Sequence, residues 1–174
     1  MSYFLYAETA FHHEGDFNYM IGLIDAAKSS GAQGLKFQVL IDYDSFIARS
    51  NPGYDDFKRA MFSVDEWIEI LNHTRKQGLK IVFMPRDLKS IELLERKLFQ
   101  ADYLDLHSVS FYDEEVHAQM KKTGLPIIIG VGGRTLEEMR KKLEYFGNQI
   151  WCFMVGFQSF PTNLSDVKLP KIAM

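Results

Sequence analysis

The sequence predicts an α/β protein built on a parallel sheet. Short apolar runs rich in β-formers alternate from end to end with segments of helical period. The apolar runs are nearly continuous rather than alternating in and out, as in strands buried on both faces. Most gaps between the two kinds of segment are short enough for βα connections.

The elements follow in order. Strands are expected at Tyr3 to Ala7, Gly34 to Leu40, Lys80 to Met84, Tyr103 to Ser108, Pro126 to Val131 and Ile150 to Phe157. Between the first two, Phe17, Met20, Ile21, Ile24 and Ala27 form one apolar stripe, with Asp16 placed to cap it and Gly31 just past its end. Ser63-Val64-Asp65-Glu66 is a capping box that opens a helix through Trp67, Ile70, Leu71 and Thr74, ended by Gly78. Asp87 or Ser90 starts a third helix, Asp113 to Thr123 forms a fourth, and the box Thr135 to Glu138 opens a fifth that ends near Gly147. Ser159 to Leu164 could begin a sixth. Residues 42–62, with Asn51-Pro52-Gly53, read as an insertion loop after the second strand. No linker or low-complexity segment interrupts residues 1–174, so one domain is expected.

Composition narrows the partners. Twenty Lys+Arg against 23 Asp+Glu give a net charge of −3, without the basic surplus of a nucleic-acid binder. No apolar stretch reaches the ~18 residues of a membrane helix, and the N-terminus lacks the basic start of a signal peptide. Neither nucleic acid nor membrane is expected as a partner. The single cysteine, Cys152, allows no internal disulfide and fits a reducing cytoplasm. It lies in the apolar run Ile150 to Val155 and reads as a core thiol.

Six strands in 174 residues suit an open doubly wound sheet. A closed eight-stranded barrel typically takes ~250 residues. Certain polar residues point elsewhere. Glu8 closes the first strand, and Lys36 and Gln38 lie two apart on one face of the second. Such groups in a central strand need partners or a ligand. They form either a Glu8–Lys36 ion pair between neighbouring strands or a polar pocket.

Ala7-Glu8-Thr9-Ala10-Phe11-His12-His13-Glu14-Gly15-Asp16 resembles the A-E-x-G-x-N-H-x-G-D opening of the sialic acid synthase family. Lys36-Phe37-Gln38 is similar to the family's second-strand K-F-Q. Gly78 to Pro85 resembles its G-x-x-F-x-S-T-P, Gly124 to Ile129 its G-K-P-V-I-L, and Phe160-Pro161-Thr162 its Y-P-T. The motifs occur in family order over nearly the whole chain. These enzymes condense phosphoenolpyruvate with N-acetylmannosamine or a related sugar on a (β/α)₈ TIM barrel, with the site at the C-terminal strand ends. The resemblance therefore implies an incomplete barrel of about six βα units, either a piece of a longer protein or a short form. Exposed sheet edges would then need covering, by a second copy of the chain for example.

By the resemblance, Glu8 and Lys36 are the catalytic candidates, Lys36 holding phosphoenolpyruvate, and Gln38, Ser108 and His13 contact substrate. A sugar and a phosphoenolpyruvate-like ligand are the implied partners. Other family positions differ. Asp105 stands where the family has a phosphate-binding lysine, and Ser110 where it has a glutamate. The fifth-strand S-T-G is replaced by Gly130-Val131-Gly132. Val155 occupies the position of a histidine that binds Mn or Mg in the family, so no metal cofactor is expected in this chain. His12, His13 and Glu14 do not read as a replacement site, and His73, His107 and His117 look scattered. Gly132, Gly133 and Arg134 before a capped helix form either a phosphate cradle or a tight turn that needs glycine.

Overall fold

The computed structural model describes residues 3–156 and residue 163. Phe160-Pro161-Thr162, the end of the last expected strand at Phe157 and the start of a sixth expected helix lie outside them. The described residues form six parallel strands: β1 (Tyr6–Glu8), β2 (Gly34–Val39), β3 (Lys80–Pro85), β4 (Tyr103–Leu106), β5 (Ile127–Gly130) and β6 (Ile150–Met154). Their order in the sheet is β1-β2-β3-β4-β5-β6, each strand beside its sequence neighbour. A doubly wound sheet would carry its first strand in the interior. The length argument for an open sheet is thereby overturned, and the architecture is an incomplete (β/α)₈ barrel. The sheet curls enough for the Tyr6 hydroxyl to lie 3.7 Å from Met154 Sδ, joining the inner faces of the first and last strands.

The connecting helices cover the outer face. They are α1 (Phe17–Ser29), α2 (Tyr43–Phe46), α3 (Tyr54–Arg59), α4 (Val64–Lys76), α5 (Leu88–Glu95), α6 (Glu114–Lys122) and α7 (Leu136–Phe146). Each main helix starts where a short polar side chain can satisfy backbone N–H groups left over at its first turn. Asp16, Asp87 and Asp113 cap α1, α5 and α6, and complete capping boxes open α4 at Ser63 and α7 at Thr135. The expected 42–62 loop contains the short helices α2 and α3.

Alternation along the strands separates two environments. Outward residues Leu35, Phe37, Val39, Ile81, Phe83, Leu104, Leu106, Ile127 and Ile129 pack beneath Met20, Ile24, Trp67, Ile70, Ile91 and Met120 of the helices. Inward residues include Tyr6, Glu8, Lys36 and Gln38. At the N-terminal end the interior is plugged by rings: Tyr103 lies 4.7 Å from Trp151, and Phe4 lies 5.5 Å from Tyr103 and 5.7 Å from Trp151. The polar inward side chains are left at the opposite, C-terminal mouth.

Candidate active site

Register builds the site. Glu8 pairs with Lys36 across β1 and β2, and Gln38 pairs with Met84 across β2 and β3. Lys36 Nζ lies 2.8 Å from Glu8 Oε2 and 3.3 Å from Asp105 Oδ2, while Gln38 Nε2 donates to Glu8 Oε1 at 2.8 Å. Three strands thus hold one polar cluster. The expected ion pair between strands forms, and Gln38 joins it through Glu8.

Burial differs within the cluster. Lys36 is 7% exposed and Asp105 is 4% exposed, whereas the Glu8 side chain is 36% exposed at the rim. Burial pushes the Asp105 carboxyl up, an effect opposed by the Lys36 ammonium beside it. Two carboxylates around one buried ammonium leave Lys36 with no spare charge for an incoming dianion. Tyr6 and Cys152 sit on the same inner face. Desolvation raises both, with Asp105 adding to it; Cys152 is half-buried on the inner face rather than in the core beneath the helices.

Arg86 and His107 complete the mouth, and sequence reasoning passed over both. Arg86 follows β3, and its N–H donates to the Val39 carbonyl at 2.9 Å, so the strand alternation continues through it. Its guanidinium lies 4.7 Å over the Phe46 ring of α2. Desolvation lowers it and the charge of Glu8 raises it. His107 follows β4, and its Nδ1 accepts from the Val109 N–H at 3.2 Å. Burial, with the nearby charges of Arg86 and Lys36, lowers this imidazole to about 4. His107 is therefore not scattered but part of the mouth. The available signal was parity, two residues beyond Met84 and Asp105.

Other expected site residues lie elsewhere. His13 is 1% exposed, stacked 4.6 Å from Phe62, with Nδ1 accepting from the Gly15 N–H at 3.2 Å. Burial lowers it to about 4, so it is a neutral core group with no open route to a substrate. Ser108 begins a short 3₁₀ turn, and its carbonyl accepts from Arg134 Nη2 at 3.0 Å. Its hydroxyl makes no hydrogen bond to the cluster among the described residues.

Gly132, Gly133 and Arg134 form a tight turn ahead of α7. The Arg134 N–H closes onto the Val131 carbonyl at 3.1 Å, and Gly133 has φ +71°, a left-handed conformation that suits glycine. The Arg134 side chain is engaged by the Tyr112 hydroxyl at 3.0 Å and by the Phe111 and Tyr112 rings. The N-terminus of α7 already holds the Glu138 carboxylate, which accepts from the Thr135 N–H at 2.7 Å. That bond, with the Tyr112 and Thr135 hydroxyls, holds Glu138 down at about 2.

Among the described residues no three His, Cys, Asp or Glu side chains gather into a metal-holding group. Val155, at the expected ligand position, packs against the apolar core. Among the described residues, no helix is long and apolar enough to cross a membrane.

Comparison with known proteins follows the same lines. The family model of the NeuB family matches residues 23–174. The chain belongs to the NeuB family. Its relatives include an uncharacterized protein of Methanocaldococcus jannaschii, 30% identical over 97% of this chain and 50% of that protein. The N,N'-diacetyllegionaminic acid synthase of Legionella pneumophila is 26% identical over 97% of this chain and 52% of its own length. This NeuB-family chain thus spans about half the length of the curated relatives it matches. The N-acetylneuraminic acid synthetase of Leptospira borgpetersenii serovar Hardjo-bovis superposes with a TM-score of 0.85, at 22% identity, over 98% of this chain and 59% of that one. The sialic acid synthase resemblance is thereby established at the level of family and fold.

Proposed function

We propose that the C-terminal mouth is the ligand site of a sugar-acid synthase-type protein, taking a phosphoenolpyruvate-like molecule and a sugar such as N-acetylmannosamine. One observation carries this reading: Glu8, Lys36 and Gln38 converge within hydrogen-bond distance at the mouth of a parallel sheet in barrel order. Active sites of such barrels sit at that end. Glu8 is placed at the rim to accept a proton or hydroxyl, Gln38 to contact the sugar, and Lys36 to balance negative charge within the pocket. The single cysteine supports a cytoplasmic setting. The outer edges of β1 and β6 support self-association that would cover them.

A second reading, ligand binding without turnover, is favoured by the Asp105–Lys36 pair. The family reaction would require Lys36 to meet phosphate while a buried carboxylate competes for it. Like charges ~4 Å apart at an effective dielectric of ~20 oppose each other by about 4 kcal/mol. Calorimetric titration with phosphoenolpyruvate and N-acetylmannosamine, with and without Mn²⁺, tests both readings. Binding that is weakened at least tenfold in Q38A and E8Q is expected. Phosphate release by residues 1–174 alone should be small and unchanged by Mn²⁺. Absence of binding by the unsubstituted chain overturns the ligand site, and robust Mn²⁺-stimulated turnover overturns the binding-only reading.

A further inference from the structure

Positive charge at the mouth is unevenly committed. Lys36 is held by two carboxylates, whereas Arg86 forms no ion pair or hydrogen bond through its side chain among the described residues. Its Nε is sealed from solvent without a partner. The Phe46 ring beneath the guanidinium fixes its plane. Leaving a guanidinium N–H unpaired under cover is unfavourable, and native structures rarely retain one without a use.

The strand register says where the guanidinium belongs. Gln38 lies beside Met84, and Arg86 is two residues farther along the same strand direction, hence on the same inner face. His107 stands in the same relation to Asp105 and keeps extended backbone, with φ −59° and ψ 142°. With Nδ1 accepting from Val109, the proton of a neutral His107 is on Nε2, which makes that nitrogen a donor. A cation with a planar fork and a neutral N–H donor therefore border one side of the Glu8–Lys36–Gln38 cluster.

We propose that Arg86 and His107 form a carboxylate subsite at the mouth, Arg86 taking both oxygens through its Nη nitrogens and His107 donating to one of them. The proposal rests on the reading of the mouth as a ligand site and adds which part of the ligand binds where. Guanidinium geometry matches a carboxylate with two parallel hydrogen bonds. The charge balance points the same way. Lys36 and Arg86 against Glu8 and Asp105 sum to zero, so one incoming negative charge is accommodated better than two. The subsite thus selects an α-keto or enol carboxylate end, and the phosphate of a larger ligand lies outside it.

The test uses the unsubstituted chain, R86Q and H107F, titrated with pyruvate and, separately, inorganic phosphate, and followed by NMR. Pyruvate should move the Arg86 Nε–H resonance of the unsubstituted chain, a readout that needs no variant to fold. Its affinity should fall at least tenfold in R86Q and several-fold in H107F, at unchanged backbone spectra, and phosphate should leave the Nε–H resonance in place. A pyruvate affinity within twofold in R86Q, or no shift in the unsubstituted chain, overturns the subsite. Unchanged affinity in H107F removes His107 from it, and a phosphate-driven shift overturns its carboxylate selectivity. Sugar binding separates this proposal from the reading beneath it. If pyruvate requires Arg86 while Q38A and E8Q leave N-acetylmannosamine binding untouched, the subsite stands and the synthase-type reading falls. If those variants lose the sugar while R86Q keeps pyruvate, the reverse holds.

Discussion

Two lysine–aspartate pairs occupy opposite ends of this sheet, and they do different things. At the N-terminal base, Lys80 Nζ reaches Asp102 Oδ1 at 2.9 Å with the lysine side chain 58% exposed. Asp102 also accepts from the Ile81 N–H at 2.9 Å and lies 3.5 Å from Arg75, so it ties a loop to the end of β3. At the mouth, Lys36 meets Asp105 at 3.3 Å with both side chains buried. The base pair is screened by water and contributes little beyond its hydrogen bonds. The mouth pair is desolvated, so each partner depends on the other being present. Identical chemistry becomes a loop tether in one place and a poised cluster in the other, and the difference is access to water.

Removing the buried cation should separate the two ends most. K36M leaves the buried Asp105 without its paired cation and should destabilise the chain by roughly 3–5 kcal/mol in denaturant unfolding. A loss no larger than that of K80M would mean that the mouth is as wet as the base.

Acid should act next, through the neutral histidines. His13 and His107 are both held near 4, below their ordinary value. The unfolded chain therefore binds more protons between roughly pH 6.5 and 4. Their contribution is complete above about pH 6.5 and is lost as pH falls toward 4. Thermal unfolding between pH 7 and 4 should show a falling midpoint, with a flatter profile in the double variant H13L/H107L. Asp105, raised by burial, runs in the opposite direction and gains stability as pH falls, so D105N should be more acid-sensitive at the mouth.

Smaller effects come from groups in contact with water. T135A removes one side of the α7 capping box and should lower stability by about 1 kcal/mol. K80M, at the exposed base pair, should shift the same unfolding curves less than T135A does. A larger loss would show that the tether at Asp102 depends on its lysine rather than on the Ile81 N–H.

Glu8, Lys36 and Gln38 were legible because charged and amide side chains in otherwise apolar strand runs require a shared destination. Capping was legible for the same local reason: Ser63, Thr135 and Asp16 act on backbone only three residues away. Asp105 was read through the family comparison as a charge opposing phosphate. The structure adds that it is the direct partner of Lys36, a contact across 69 residues that no spacing rule reveals. His13 was assigned to substrate by position in a motif, and packing against Phe62 withdraws it. Arg86 was missed because a polar residue just beyond a strand end looks like ordinary loop, and His107, inside the expected Tyr103 to Ser108 strand, was set aside as scattered.

By itself, the sequence determined the alternation of strand and helix, the helix starts and the three polar residues that had to meet, because these depend on neighbours along the chain. The family motifs also pointed to barrel order, and only the tertiary structure decided the pairing of Asp105 with Lys36, the burial of His13 and the place of Arg86 and His107 at the mouth. Those outcomes depend on which side chains share a desolvated volume, and that volume exists only after the sheet has curled and the helices have covered its outer face.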